Sequence, residues 1–287
     1  MDFSPVRCDE AAYADYVRLF AKCFPGVDKY SRNYLDWLYH CNPDGQVVGY
    51  DARDGDHLAA HYVCIPARAQ VGDKEVRVLL SLNTATHPDY QGKGLFTQLA
   101  ERTYAAGAAL GYDCVYGVAN ANSTPGFIRK LKFQLIGPLR AMVGVGSLGI
   151  DFADLNALQF RRSWSPQALA WRCASPVNPV IARAGQDHTI FLAPALFGGA
   201  CMATAEIGGE ASVTAAHVDM TSGFASPLRL FIGLIPPSAA RRLALYVDIP
   251  KTLRPSPLNL IYRSLSERMG AIDLDAVFFN FLDFDAY

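Results

Sequence analysis

The 287 residues are 51% hydrophobic and 18% charged, with a formal net charge of −1 at pH 7. That balance excludes a disordered chain and fits one large or two small globular domains. It gives no electrostatic reason to expect nucleic acid, and no apolar run is long enough for a membrane span. Met1-Asp2-Phe3-Ser4-Pro5 lacks a basic segment followed by an apolar core, so no signal peptide is expected. Seven cysteines, none in a Cys-x-x-Cys pair, fit a reducing cytoplasm and read as small core residues rather than bridges or metal ligands.

Taken in order, the chain first predicts a helix over residues 10–24, with Tyr13, Tyr16, Val17, Phe20 and Phe24 at helical intervals. Ser31 is the expected cap of a second helix that buries Tyr34, Leu35, Trp37 and Leu38 and stops at Asn42-Pro43-Asp44-Gly45. Extended runs follow over 46–52, 57–69 and 76–86, with turns at Asp54-Gly55 and Gly72-Asp73. Leu95, Leu99, Ala106 and Leu110 then mark a helix with Gly111 at its C-terminal cap, residues 112–119 an apolar strand, and Asn122-Ser123-Thr124-Pro125 the start of a short helix to Leu131.

Between the strand ending at Thr86 and the helix beginning at Leu95 lies Gln91-Gly92-Lys93-Gly94. A glycine turn there bares backbone N–H groups at a helix N-terminus, which suits a phosphate or pyrophosphate. The P-loop pattern is absent, and the dinucleotide fingerprint fails because Thr97 stands at its third glycine. The run resembles instead the pyrophosphate loop of the GNAT superfamily of acyl-CoA-dependent N-acyltransferases, Arg/Gln-x-x-Gly-x-Gly/Ala. Phe96 replaces its last small residue. His87-Pro88-Asp89-Tyr90 before it, and the segment from Asn120 to Phe133 after it, are similar to the same family. The resemblance covers roughly residues 1–145 and implies an α/β (α+β) GNAT fold with a mixed, splayed central sheet.

From about Gly137 the pattern changes. Residues 143–149 read as a glycine-rich connector followed by 151–160. Ser31-x-x-x-Leu35-x-Trp37 recurs as Ser165-x-x-x-Leu169-x-Trp171, and each is followed by Asn-Pro, at Asn42-Pro43 and Asn178-Pro179. A helix over 258–269, a glycine at Gly270 and a strand over 275–281 would repeat the order of 95–119. The expectation is therefore a catalytic, acyl-CoA-binding domain over 1–145 and a second, degenerate GNAT-like half over 146–287. That half would lack a pyrophosphate loop, with Leu253-Arg254-Pro255-Ser256-Pro257 in its place. The alternative is an unrelated α+β domain.

The resemblance implies an acyl-CoA co-substrate, acetyl-CoA or a longer one, with no metal. Thr84, Ala85 and Thr86 would bond the pantetheine arm, and an N–H near Thr86 would hold the developing oxyanion. Gln91, Gly92, Lys93, Gly94, Leu95 and Phe96 would wrap the pyrophosphate. Asn122, Pro125 and Phe127 would complete the cofactor site. The family's usual Tyr falls at Ile128, and Lys132 replaces the Gly of its Gly-Phe ending. The general base is thus open among His61, on the second strand, and His87, at the end of the third. Their structural alternatives are a half-exposed strand histidine and a turn pin. Asn83 is a candidate to orient water or the acceptor. Tyr116, Trp37 and Trp171 read as packing, and Cys114 as an inert buried thiol rather than an acyl-enzyme nucleophile.

The aromatic tail 278–287 reads as a buried terminal strand, or as a carrier of Asp283 into the acceptor pocket. The function implied is N-acyl transfer to a primary amine of a small molecule by direct ternary-complex transfer, in the cytoplasm, with a homo-oligomer left open. A nucleotide-linked amino sugar is the leading acceptor, because residues 34–45 joined to 87–96 are similar to GNAT proteins of amino-sugar and surface-polysaccharide pathways. The alternative is a non-catalytic CoA-binding or scaffolding protein.

Overall fold

The longest antiparallel pair in the molecule, β3 (His57–Val71) with β4 (Lys74–Thr86), turns at Gly72, whose φ of 59° lies where a side chain is disfavoured. A computed structural model describes residues 1–185, 187–208, 225–240, 245–254, 256–267 and 269–285. It extends this hairpin on one side through β2 (Val48–Asp54) and β1 (Asp2–Pro5). On the other side come β5 (Cys114–Ala119), β14 (Asn259–Ser264) and β6 (Gln134–Pro138), in that order. A short strand, β8 (Arg161–Ser163), pairs with the far end of β3.

Alternation along the central strands loads both faces. Tyr62, Cys64, Leu79, Val115 and Ile261 pack with Leu95, Leu99, Phe127 and Leu131 of α3 (Leu95–Ala109) and α4 (Thr124–Leu131). Val63, Ile65, Leu80, Tyr116, Leu260 and Tyr262 belong to the opposite core. That core includes α1 (Glu10–Cys23), α2 (Arg32–Tyr39) and α5 (Pro166–Cys173). Asp9 caps α1, and Ser31 and Ser165 cap α2 and α5 through the backbone N–H groups of Tyr34 and Ala168.

The second sheet runs β13 (Tyr246–Asp248), β7 (Arg140–Val145), β12 (Leu228–Gly233), β11 (Cys201–Gly208), β10 (His188–Leu196), β9 (Ile181–Ala184). Among the described residues each sheet contains a single parallel pair in an otherwise antiparallel order, β4 with β5 and β11 with β12. Beyond each parallel pair the next strand comes from the other half of the chain. β14 lies between β5 and β6, and β7 lies between β12 and β13. Among the described residues the first sheet thus takes β8 and β14 from the second half of the chain, and the second sheet takes β7 from the first. Sheet membership therefore does not follow the expected 145/146 boundary.

Several local expectations give way. The glycine-rich connector is in part a strand, β7, because its glycines allow close approach: a Cβ on Gly144 would lie 2.4 Å from the Leu245 carbonyl. The helix expected over 258–269 is strand β14. As a central strand it buries both faces, so its apolar run carries no alternation that separates it from a buried helix. The strand expected over 275–281 reduces to isolated bridges, Phe160 with Val277 and Leu234 with Phe279, between 3-10 turns at Leu274–Ala276 and Phe281–Asp283. The tail is buried but not a strand, and Ala286 and Tyr287 lie outside the described residues. Residues 253–257 link β13 to β14 and so do not occupy the place of a pyrophosphate loop; Pro255 lies outside the described residues.

Candidate acyl-transfer site

The parallel ladder between β4 and β5 runs only from Val78 opposite Cys114 to Ser81 opposite Gly117. Both strands then continue without pairing to each other, β4 to Thr86 and β5 to Ala119. On its other side β4 carries a bulge: Leu82 faces Val63 and Ala85 faces His61, so three steps on β4 match two on β3. Asn83, at the bulge, takes a φ of 49°, a left-handed conformation that asparagine tolerates better than most residues. The strands open beside a cavity of about 700 Å3. Leu82, Asn83, Thr84, Val118, Asn120 and Asn122 line its sheet side, with Phe96 and Phe127 alongside.

At the end of β4 the chain makes a 3-10 turn, Pro88–Tyr90, and then exposes Gln91, Gly92, Lys93 and Gly94. Gly92 and Gly94 have φ of 77° and 72°. A Cβ on either would meet nothing within 4 Å, so the backbone angle, not crowding, calls for glycine. Gly94 is the N-cap of the 15-residue α3 and offers no side-chain acceptor to the first-turn N–H groups. These residues fit a pyrophosphate: an uncapped helix N-terminus, glycines free of side chains and the Lys93 ammonium close by. Lys93 itself rests over the Tyr90 ring at 4.5 Å. Phe96, the departure from the family pattern, meets Phe127 edge-on at 5.2 Å and forms cavity wall.

The rest of the cavity lining comes from two stretches distant in sequence. Phe24, Lys29 and Tyr30 come from the link between α1 and α2, and Phe284 and Asp285 from the tail. Lys29 Nζ lies 2.6 Å from Asp285 Oδ2, and the Tyr34 hydroxyl donates to the same oxygen. Burial first and then the Asp285 charge push the Tyr30 phenol up to about 12, which keeps it a donor at neutral pH.

The expected site residues divide accordingly. Thr84, Asn83, Asn122, Phe96 and Phe127 line the cavity. Ala85 is buried against His61 and Thr86 pairs with Ala60, so the unpaired backbone is at Asn83 and Thr84 instead. Pro125 is exposed in the first turn of α4 and Leu95 is buried in the first turn of α3; neither lines the cavity. Ile128 packs with the α3 face of the sheet, so α4 supplies no phenol there.

Neither histidine reaches the cavity. His87 accepts the Asp89 N–H at its Nδ1, 3.3 Å away, and pins the turn. His61 is fully buried, with Nδ1 2.7 Å from Asp51 Oδ1 and Nε2 2.9 Å from the Tyr39 hydroxyl. The expectation that either acts as a direct base therefore finds no support in the cavity lining: His61 has both nitrogens bonded in the core, and His87 turns to the Asp89 N–H. Asp283 is likewise buried, held by the Trp164 indole N–H at 3.2 Å and the Asn280 N–H at 2.7 Å, and Asp285 takes the position foreseen for it. Burial pushes the Cys114 thiol up, so it stays protonated and inert. Lys29, Tyr30, Asn120 and Asp285 were missed. Lys29 and Tyr30 sit in a loop with no periodicity, and only the acidic, aromatic tail hinted at Asp285.

Comparison with known proteins agrees with this architecture. Residues 6–136 match the family described as the acetyltransferase (GNAT) domain. No curated protein matches the sequence. Among solved structures, the Eis1 protein of Mycobacterium abscessus is similar at a TM-score of 0.59 and 12% identity, covering 93% of this chain and 74% of that one. A GCN5-related N-acetyltransferase from Kribbella flavida is similar at 0.61 and 15%, covering 92% and 71%. A conserved protein of Enterococcus faecalis, described as a probable N-acyltransferase, is similar at 0.61 and 9%, covering 92% and 72%. The chain thus has the fold of these GNAT proteins, and the match to the acetyltransferase (GNAT) domain spans residues 6–136, a little under half of its length.

Proposed function

We propose that the protein transfers an acyl group from acyl-CoA to the primary amine of a small molecule, by direct attack in a ternary complex. The observation that carries this reading is the gap between β4 and β5, which begins one residue past Ser81 and opens the bulged strand onto a large cavity. Acyl-CoA supplies the activated thioester. Gln91 to Gly94 and the first turn of α3 hold its pyrophosphate, and Asn120 and Asn122 meet the pantetheine amides. Backbone N–H groups at Asn83 and Thr84, which the ladder to β3 leaves out, take the place expected of Thr86 as donors to a developing oxyanion.

The acceptor enters from the side of Lys29, Tyr30 and Asp285. Asp285 receives the ammonium and takes its proton, since only the neutral amine is nucleophilic. Lys29 suits a phosphate on the same molecule, which together with the sequence resemblance favours a nucleotide-linked amino sugar. Ile128, in place of the family's tyrosine, favours the second reading, a CoA-binding protein without turnover. Thermal melting with CoA, acetyl-CoA and longer acyl-CoAs, beside NAD and ATP, tests the cofactor by ligand-linked stabilisation. Release of free thiol on adding UDP-amino sugars tests the reaction. A melt shift with CoA compounds and no thiol release with any amine would favour the second reading; no shift would overturn both.

A further inference from the structure

A line of buried polar side chains runs from the centre of the first core to the cavity wall. Asp51 on β2, 3% exposed, accepts from His61 Nδ1 at 2.7 Å. His61 Nε2 lies 2.9 Å from the Tyr39 hydroxyl, and that hydroxyl accepts from Asn83 Nδ2 at 3.0 Å. The other Asp51 oxygen accepts from the Tyr16 hydroxyl at 2.8 Å, and the Tyr16 ring covers His61 at 4.3 Å. Phe20 closes the remaining side at 5.6 Å, and Arg53 on β2 adds its positive field to that end of the line. No water reaches this chain through His61, which is fully buried.

The donors run in one direction. Asn83 gives an N–H to the Tyr39 oxygen, so the single Tyr39 proton is free to go to His61. Nε2 must then accept, which leaves the His61 proton on Nδ1 for the Asp51 carboxylate. Every member is satisfied with His61 neutral and Asp51 ionised. An amide cannot relay a proton as a carboxylate can, so the line does not empty a proton from the cavity. It fixes an orientation. With Nδ2 turned inward to Tyr39, the Asn83 carbonyl oxygen is the free end, at the bulge where β4 leaves the ladder.

We propose that Asp51, His61 and Tyr39 are positioning residues that hold the Asn83 amide with its carbonyl oxygen toward the cavity, where it accepts an N–H of the attacking amine. The proposal deepens the acyl-transfer reading and rests on it for the identity of that amine. The geometry of the line stands apart from it. Two carbonyl-like acceptors, Asn83 and Asp285, then bracket the amine from the sheet side and from the tail side of one cavity.

The test is nuclear magnetic resonance of the full chain, without acyl-CoA. In protein labelled with 15N-histidine, the His61 resonances, assigned with His61→Gln, should show the neutral Nδ1–H tautomer at pH 7. Asn83→Asp has no N–H to give; Tyr39 turns its proton to the new carboxylate and Nε2 takes up a proton, so the signal moves to the imidazolium pattern. The Asn83 side-chain NH2 should exchange with solvent about tenfold more slowly than that of exposed Asn122, and Tyr39→Phe should abolish the difference. An Nε2–H tautomer in the wild type would overturn the proposal, as would an Asn83 amide exchanging as fast as Asn122. Wild-type spectra decide the orientation whether or not the variants fold. Tyr39→Phe, which frees the amide to flip, should raise the KM for the amine about tenfold while the acetyl-CoA melting shift stays; an unchanged KM would overturn the contact with the amine. Acetyl-CoA melting shifts in the same samples report separately on the acyl-transfer reading.

Discussion

Trp37 and Trp171 stack at 4.8 Å with their planes 19° apart, and each indole N–H donates to the backbone carbonyl of the other residue at 2.9 Å. The contact is reciprocal, as across a two-fold axis. Each tryptophan lies six residues after the serine that caps its helix, Ser31 and Ser165. Each helix also buries the leucine between, Leu35 and Leu169, completely. Two copies of one short pattern therefore meet face to face where the halves join. This symmetry accompanies the exchange of β7 and β14 between the sheets.

Trp37→Ala removes a mostly buried ring and leaves the Trp171 carbonyl without the indole N–H it accepts from, so it should destabilise the protein by about 3 kcal/mol. Trp37→Phe keeps the stacked ring and loses one hydrogen bond, for about 1 kcal/mol. Urea denaturation of Trp37→Ala, Trp171→Ala and the double variant should show strong non-additivity, because both singles break the same contact. Additive losses would mean that the two rings do not support each other.

The exchanged strands predict that residues 1–145 do not fold alone. Without β14, β5 and β6 lose the strand between them, and β7 has no sheet to join. The exposed edges invite association. Expressed by itself, this fragment should be aggregated or lack a cooperative melt. Mixing it with residues 146–287 should restore one.

Burial pushes the Asp283 carboxyl up to about 6, against opposing attraction from Arg162. The folded state thus holds a proton that the unfolded chain releases near pH 4. Stability from this group is fully present below pH 4 and is lost as pH rises through about 6, by an amount on the order of 2 kcal/mol. Asp283→Asn should flatten that part of the curve when urea midpoints are compared between pH 4.5 and 7.

Gly94→Ala forces a side chain into a φ of 72° with free space around it. The strain is about 1 kcal/mol, small for the fold as a whole. Its effect should appear at the turn, as a loss of most of the melting-temperature rise given by CoA, with little change in the ligand-free melt. An unchanged CoA response would remove the pyrophosphate from this loop.

Asp285→Asn keeps the shape of the tail and removes its charge, leaving Lys29 unpaired beside the acceptor end. Acyl-CoA stabilisation should persist, because Asp285 belongs to the tail and not to the Gln91–Gly94 turn or the first turn of α3. Thiol release with amine acceptors should fall by about a hundredfold, with the loss smallest at high pH, where free amine forms without help.

Much of the first half was legible in the chain itself. The cap at Ser31, the Gly72 turn, the α3 periodicity and the Gln91–Gly94 loop are local. Each depends on backbone angles or on hydrogen bonds within a few residues, which residue type alone constrains. The same logic fails for β14 and β7. A strand buried on both faces shows no alternation, and glycines that admit a neighbour look like those of a linker. It fails again for the histidines, since sequence shows that His61 lies on a strand but not that Asp51 and Tyr39 hold both its nitrogens.

By itself, then, the sequence determined the glycine turn before a long helix, the hairpins that lead to it and the repeated serine-to-tryptophan pattern. All are set by short-range backbone energetics. Only the tertiary structure decided which strand lies between β5 and β6, which polar group looks into the cavity and which is buried behind it. It alone brought Asp285 to Lys29 across 256 residues of chain. Those choices depend on long-range burial, where one register or one crossing moves a side chain from core to cleft.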